Sequence, residues 1–347
     1  MKLGLVLGAG GLVGMAYHAG VLHALEEEGG VAPGEASLIV GTSAGAVVGA
    51  YLRNGWTTRD FWAMALAPPS PSPVPGLARL PIPQGMRPLS VVADAVVPGL
   101  PPVLVPAFSN PCEGLRRSLG SAWVLSRLVL RLPLPPLPRA VQDRFPGGMF
   151  GLEQSRVRLE QDLEAAWPQA PLWLCAFDIG NGQRVVLGRD LTSAVTVPRA
   201  VLASSAVPGL YPPVRVGRRV LVDGGCHSCT NLDLAVEAGC DVVVVVAPMA
   251  YDTCSPPGWA AQLARRWPAR SLARERREAC RQGAKVLMVR PTGAEIRAHG
   301  VNLMRRDGLD RIAMGAYEAT ARALGTDVFR QALGRRRRRQ RAAGRRG

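Results

Sequence analysis

Apolar residues come along this chain in short blocks separated by small or polar residues, not in long runs. The first block, Leu3-Gly4-Leu5-Val6-Leu7, is too short for a helix and carries no charge, the pattern of a strand buried on both faces. It opens into Gly8-Ala9-Gly10-Gly11-Leu12-Val13-Gly14. Val21, Leu22 and Leu25 then give a helix over 15–28 a core face, closed by Gly29-Gly30. A second apolar block over 37–40 predicts a strand that runs into Gly41-Thr42-Ser43-Ala44-Gly45, followed by a small-residue helix over 46–52. Further strands are predicted at 172–177, 184–187, 219–222, 242–246 and 285–289. Helical patterns over 152–167, 232–239, 259–282 and 305–324 lie between or after them, and a small-residue helix near 200–206 ends in a Pro-Gly turn. Short buried strands alternating with helices define an α/β protein with a mainly parallel sheet.

The alternation breaks between about 67 and 150. Prolines recur from Pro68 to Pro111, which forbids long helices and central strands, while the Val, Leu, Ala and Met between them are too apolar for a plain solvated linker. A helix is predicted over 114–132, with Leu125, Leu128 and Val129 on one side and arginines interspersed, before another Pro-rich apolar patch over 132–138. Two readings stand: an irregular excursion packed on the main domain, or a lid that shelters an acyl chain or touches a bilayer.

Composition changes the picture in three ways. Apolar residues reach 48% with only 5% aromatics, which suits an aliphatic core of large size in a chain of 347 residues. The net charge is +16, and lysine occurs only at Lys2 and Lys285, so the charge is carried by arginine. Eight arginines crowd the end from Arg335 to Arg346, where repulsion and lack of apolar residues predict disorder. Such a tail suits anionic lipid headgroups or nucleic acid, or is simply solvated. Seven scattered cysteines and the absence of a leader-like start argue against a disulfide scaffold and for a reducing compartment. No apolar run reaches the roughly 18 residues of a membrane span.

Ser43 is the first candidate for chemistry. Gly41 and Gly45 around it match G-x-S-x-G, in which small neighbours let a strand turn sharply into a helix and expose the hydroxyl. The Gly-rich turn after the first strand is an anion-binding nest. A dinucleotide reading of that nest requires an acid at the end of the second strand, and none is there; Val13 also stands in the last glycine's place of G-x-G-x-x-G. An oxyanion site fits better, because in a parallel sheet both loops emerge at the carboxyl edge. Asp223, delivered by the strand over 219–222 and followed by Gly224-Gly225, is either a turn-forming Asp-Gly or a carboxylate held in a tight loop. A Ser-Asp-His triad has His299 downstream, but it stands in a polar segment without a motif and reads as a surface histidine. His18, on the first helix, reads as a packing residue. Cys226-His227-Ser228-Cys229 is one C-x-x-C without a second pair, which does not make a zinc site.

In this order the nest, Gly41–Gly45, Ser205-Ala206-Val207-Pro208-Gly209, Asp223-Gly224-Gly225 and Asn231 resemble the patatin-like phospholipase family over roughly 3–247. The resemblance implies a three-layer α/β/α fold and hydrolysis of acyl esters of lipids by a Ser-Asp dyad. By position it makes Ser43 the nucleophile, Asp223 the general base, and Gly10 and Gly11 the oxyanion donors. Val13 departs from the pattern, since many members carry Arg or Lys there. The expected organisation is one hydrolase domain over 1–333, with an insertion at about 67–150, and an Arg-rich tail over 334–347. The expected substrate is a phospholipid or lysophospholipid, with no metal or organic cofactor, in the cytoplasm or in peripheral contact with an anionic membrane. The rival is a catalytically idle module that binds membrane or nucleic acid through its arginines.

Overall fold

A computed structural model describes residues 2–67, 108, 110–130 and 147–326, without the side chains of 127–130. The Pro-rich stretches 68–107 and 131–146 and the Arg-rich tail expected over 334–347 lie outside the described residues. In chain order the elements are β1 (Leu3–Leu7), α1 (Gly11–Glu27), β2 (Leu38–Thr42), α2 (Ala44–Arg53), α3 (Thr58–Leu66), α4 (Pro111–Leu130) and α5 (Glu153–Asp162). β3 (Leu172–Asp178), β4 (Gln183–Leu187), α6 (Val197–Ser204), β5 (Val214–Val216), β6 (Arg219–Asp223) and α7 (Asp233–Glu237) follow. The chain continues through β7 (Val242–Val246), α8 (Trp259–Arg281), β8 (Lys285–Val289), α9 (Gly293–His299) and α10 (Leu309–Leu324).

The eight strands form one sheet in the order β5-β6-β3-β2-β1-β7-β8, with β4 on β3. The five from β3 to β8 are mutually parallel, while β4 and β6 run antiparallel to β3. Because the centre is covered on both faces, β1 and β7 are apolar at every position except Gly4, and alternate residues serve opposite layers. Leu5 and Leu7 pack into the cluster made with α1, α2, α6 and α10. Val6, Val243 and Val245 face the other way, against α7 and α8. This is the expected α/β/α sandwich with a mainly parallel sheet. α1 is buried around most of its circumference, and Gly20 lets it approach α10 closely: a Cβ there would stand 2.1 Å from the carbonyl oxygen of Ala313. Among the described residues, no helix is long and apolar enough to cross a membrane.

Three elements escaped the apolar pattern. α3 is set by a capping box, in which the Thr57 hydroxyl accepts from the Asp60 amide and the Asp60 carboxylate accepts from the Thr57 amide. β5 is a three-residue edge strand, and α9 begins at a second capping box between Thr292 and Glu295. The helix expected over 305–324 starts only at Leu309. Residues 300–308 instead cross the top of the nest, where the Leu303 carbonyl accepts from the Val13 amide at 3.1 Å. The helix expected over 152–167 stops at Asp162.

Candidate active site

The sheet register brings Ser43 and Asp223 together. β4 occupies one edge of β3 from Leu174 to Asp178. On the other edge β2 ends with Thr42 opposite Cys175, and the antiparallel β6 ends with Asp223 opposite Ala176. Two strands thus meet carboxyl end to carboxyl end along one neighbour, and the residues leaving each end share one place. Both exits need glycine. A Cβ on Gly45 would stand 2.0 Å from the Leu7 carbonyl oxygen, and one on Gly224 would stand 2.2 Å from the Cys175 carbonyl oxygen.

Ser43 itself has φ 55° and ψ −118°, in the left-handed half of backbone space that a side chain rarely adopts. Neighbouring groups hold it there. Its amide donates to the Ser204 hydroxyl at 3.1 Å, the Ser204 hydroxyl donates to the Cys175 carbonyl at 2.6 Å, and the Ser205 hydroxyl donates to the Ser43 carbonyl at 3.3 Å. The Asn231 amide donates to the Thr42 hydroxyl at 3.0 Å, and its oxygen accepts from Arg184 at 3.2 Å. The Ser204-Ser205 pair read as part of a small-residue helix is therefore the brace of the elbow. Ser204 is a helix-end serine with nothing in its spacing to mark that task.

Asp223 is 5% exposed. Its carboxylate accepts from the Gly225 amide at 2.7 Å and lies beside the Ser43 side chain. Burial pushes its carboxyl up to about 6, against the opposing pull of the neighbouring Ser43 hydroxyl and the Gly225 amide. Across the site, the amides of Gly10, Gly11 and Leu12 at the start of α1 take no carbonyl acceptor among the described residues. Gly11 has φ 62°, and a Cβ on it would meet the Leu303 carbonyl oxygen at 2.6 Å. His18, fully buried, donates from Nε2 to the Gly8 carbonyl at 2.8 Å and so stiffens the same turn; burial lowers its pKa to about 4. Val13 is 1% exposed and belongs to the core, so the departure at this position adds no charge to the nest.

Between nest and elbow opens a cavity of roughly 640 Å³, counting the part continuous with solvent. Its polar lining is Ser43, Ser155, Ser205 and Tyr211; Val47, Leu159, Val201, Leu202 and Met304 make much of the rest. The lining is mainly apolar, with its polar groups few and separate.

His299 is corrected by the structure. It is not a surface residue but fully buried, edge-on to Tyr17 at 5.6 Å between ring centres, and neither ring nitrogen has a hydrogen-bond partner among the described residues. Burial and the nearby Arg265 and Arg305 lower its pKa to about 3. It does not line the cavity. The short polar segment around it hid the capped helix α9, whose last turn points His299 inward. Cys226 and Cys229 are free thiols, and the described residues contain no cluster of three acidic, His or Cys side chains able to hold a metal.

The structure is thus an α/β protein with a serine at a strand-turn-helix elbow, a buried carboxylate beside it and a glycine-rich turn across a cavity. A family model described as patatin-like phospholipase matches residues 5–236, more than half of the chain. The chain belongs to the patatin-like phospholipase family. Among solved structures, VipD from Legionella pneumophila aligns at 16% identity and a TM-score of 0.38, covering 96% of this chain and 66% of VipD. The type III effector protein ExoU aligns at 15% identity and a TM-score of 0.37, covering 96% of this chain and 53% of ExoU. The chain therefore spans just under two thirds of the first and about half of the second.

Proposed function

We propose that this protein is a serine acyl hydrolase of ester lipids, phospholipid or lysophospholipid, working through Ser43 and Asp223. The observation that carries the reading is the register that brings Ser43, just past the end of β2, beside the buried carboxylate of Asp223, whose pKa is pushed up to about 6. A carboxylate of ordinary acidity is a poor base for a serine hydroxyl; burial makes Asp223 a better one while leaving it ionised at neutral pH.

In this mechanism Asp223 takes the Ser43 proton as Oγ attacks the ester carbonyl carbon. The carbonyl electron pair moves onto oxygen, and the resulting oxyanion accepts from the amides of Gly10 and Gly11. The positive end of α2 adds a favourable field at the same point. As the carbon–oxygen bond to the leaving alcohol breaks, that oxygen receives the proton from Asp223. Water then enters, gives its proton to Asp223, and attacks the acyl-enzyme. Collapse of the second tetrahedral centre returns the proton to Ser43 and frees the fatty acid. The apolar wall of Val47, Leu159, Val201 and Leu202 suits the acyl chain.

The test is hydrolysis of a short soluble ester and of a lysophospholipid by wild type, Ser43→Ala, Asp223→Asn and His299→Leu. Loss of at least about a thousandfold in kcat with the first two variants, folded by circular dichroism, and retention with the third is the expected result. An inactive His299→Leu, or an active Asp223→Asn, refutes the dyad. The non-enzymatic alternative, binding through the Arg-rich tail, predicts that wild type hydrolyses neither substrate.

A further inference from the structure

α8 carries on its outer side an apolar stripe that the fold does not use. Trp259, Leu263 and Trp267 follow one another at four-residue spacing and are 80%, 62% and 44% exposed. At 100° per residue they share one face, and Arg266, Arg270, Arg274 and Arg277 continue that face toward the carboxyl end. Among the described residues none of these four arginines has an acidic partner, and the only acid pairing near the helix end is Arg281 with Glu278. The inner face is a different surface: Leu272 and Ala279 pack on the sheet, and Glu275 accepts from Ser228, Thr230 and the Leu232 amide.

The apolar end of the stripe lies toward the carboxyl edge of the sheet. α8 crosses from β7 to the parallel strand β8, so it starts at the carboxyl edge of the sheet, the edge from which Ser43 emerges. Arg265 anchors that start by donating to the carbonyls of Pro248 and Ala250. Pro248 in turn packs against the nest, where its Cβ would be 3.0 Å from a Cβ on Gly10. Val301, fully exposed, sits on the same edge in the segment whose Leu303 and Met304 roof the nest and the cavity.

We propose that this face docks the protein on an anionic lipid bilayer, with Trp259, Leu263 and Trp267 in the headgroup–acyl boundary and the α8 arginines on lipid phosphates. An apolar end followed by unpaired guanidinium groups on one helix face matches both layers of such a surface, and a net charge of +16 favours the anionic one. This proposal rests on the lipid-hydrolase reading for its purpose, though its physical content is separate.

The experiment uses the full chain with Ser43→Ala as background for binding. The probes are vesicles of equal parts phosphatidylcholine and phosphatidylglycerol, with and without acyl chains brominated to quench tryptophan. Wild-type fluorescence is expected to be quenched. The triple variant Trp259→Ser, Leu263→Ser, Trp267→Ser should lose that quenching and bind at least about tenfold more weakly. In the Ser43 enzyme the same triple variant should lose at least about tenfold in hydrolysis of vesicle lipid and keep its kcat/KM on a soluble ester. Arg270→Gln, Arg274→Gln, Arg277→Gln should weaken binding to these vesicles and not to pure phosphatidylcholine. Wild-type affinity and quenching pattern in the triple variant overturns the proposal, since the membrane is then held elsewhere. So does a wild-type dimer that the triple variant converts to monomer in sedimentation, because a second copy then covers the stripe. A loss confined to duplex DNA or RNA binding in the arginine variant also overturns it. If the stripe variants lose vesicle binding but wild type hydrolyses no ester, the surface stands and the hydrolase reading falls.

Discussion

Asp223→Asn is expected to abolish activity and yet stabilise the fold at neutral pH, and the size of the second effect follows from the site. The carboxyl has a pKa of about 6 in the folded protein against 3.8 for its ordinary value, because it is buried away from water. Between those two pH values the folded chain holds a proton that the unfolded chain has released. Stability contributed by this group is therefore present below about pH 4 and is lost as the pH rises through about 6. At about 1.4 kcal/mol per pH step, the loss comes to about 3 kcal/mol, which for a chain of this size is about 4 °C in Tm. Asn cannot ionise, so the variant keeps what wild type loses. The assay is urea unfolding of both proteins at pH 4 and pH 7.5. Taking the difference between the two pH values cancels any fixed gain or loss from the amide itself. Between pH 4, where the unfolded carboxyl is already partly ionised, and pH 7.5, Asp223→Asn should gain about 2.5 kcal/mol relative to wild type. The same pKa should appear in wild-type kcat/KM on a soluble ester as a one-proton acid limb centred near pH 6. A stability difference indifferent to pH, or an acid limb near pH 4, refutes both the burial argument and the assignment of Asp223 as base.

Other outcomes test the neighbouring parts. Gly45→Ala puts a methyl 2.0 Å from the Leu7 carbonyl oxygen, so the elbow cannot close; kcat should fall at least about a hundredfold and urea stability by about 2–4 kcal/mol. Glu275→Ala removes the acceptor of Ser228, Thr230, Ser271 and the Leu232 amide, which should cost about 2–4 kcal/mol and lower kcat through the loosened loop; unchanged kinetics would show that the loop holds itself. His299→Leu replaces a buried ring with two unpaired nitrogens by an apolar group, so thermal stability should hold or rise by about 1 kcal/mol with kcat/KM intact; an inactive, folded variant would restore a triad.

The sheet was legible because its strands are short, apolar and bracketed by glycine, and β7 and β8 fall where the apolar runs end. Ser43, Asp223 and the Gly10-Gly11 turn are legible as separate motifs, and the register explains why the first two lie together: Thr42 and Asp223 lie opposite consecutive residues of β3. What escaped was held by polar groups instead of apolar period. α3 and α9 rest on capping boxes, and the Ser204 brace is one hydroxyl at a helix end. His299 was misread because a polar heptapeptide looks exposed whichever way its last turn faces. The roof over the nest was missed since Leu303 contributes a backbone carbonyl, to which any residue type has equal claim.

These features share a thermodynamic direction. A serine at φ 55° costs about 1–3 kcal/mol, a buried carboxylate resists ionisation, and three consecutive amides at the nest have no carbonyl acceptor among the described residues. None of them stabilises the fold alone, and each relaxes if the surroundings yield. The surroundings resist because every one is fixed from more than one element. Ser43 is tied to α6 through Ser204 and Ser205, Thr42 to the loop before α7 through Asn231, and that loop to α8 through Glu275. The Cys229 carbonyl accepts from the Ala9 amide at 2.8 Å and joins the same loop to the nest. A single segment, 228–232, thus touches the elbow, the nest and the outer helix. Loosening it should relax all three strained parts together, so substitutions at Asn231 and Glu275 should interact more than additively in kcat, while either combined with Gly45→Ala adds little further loss.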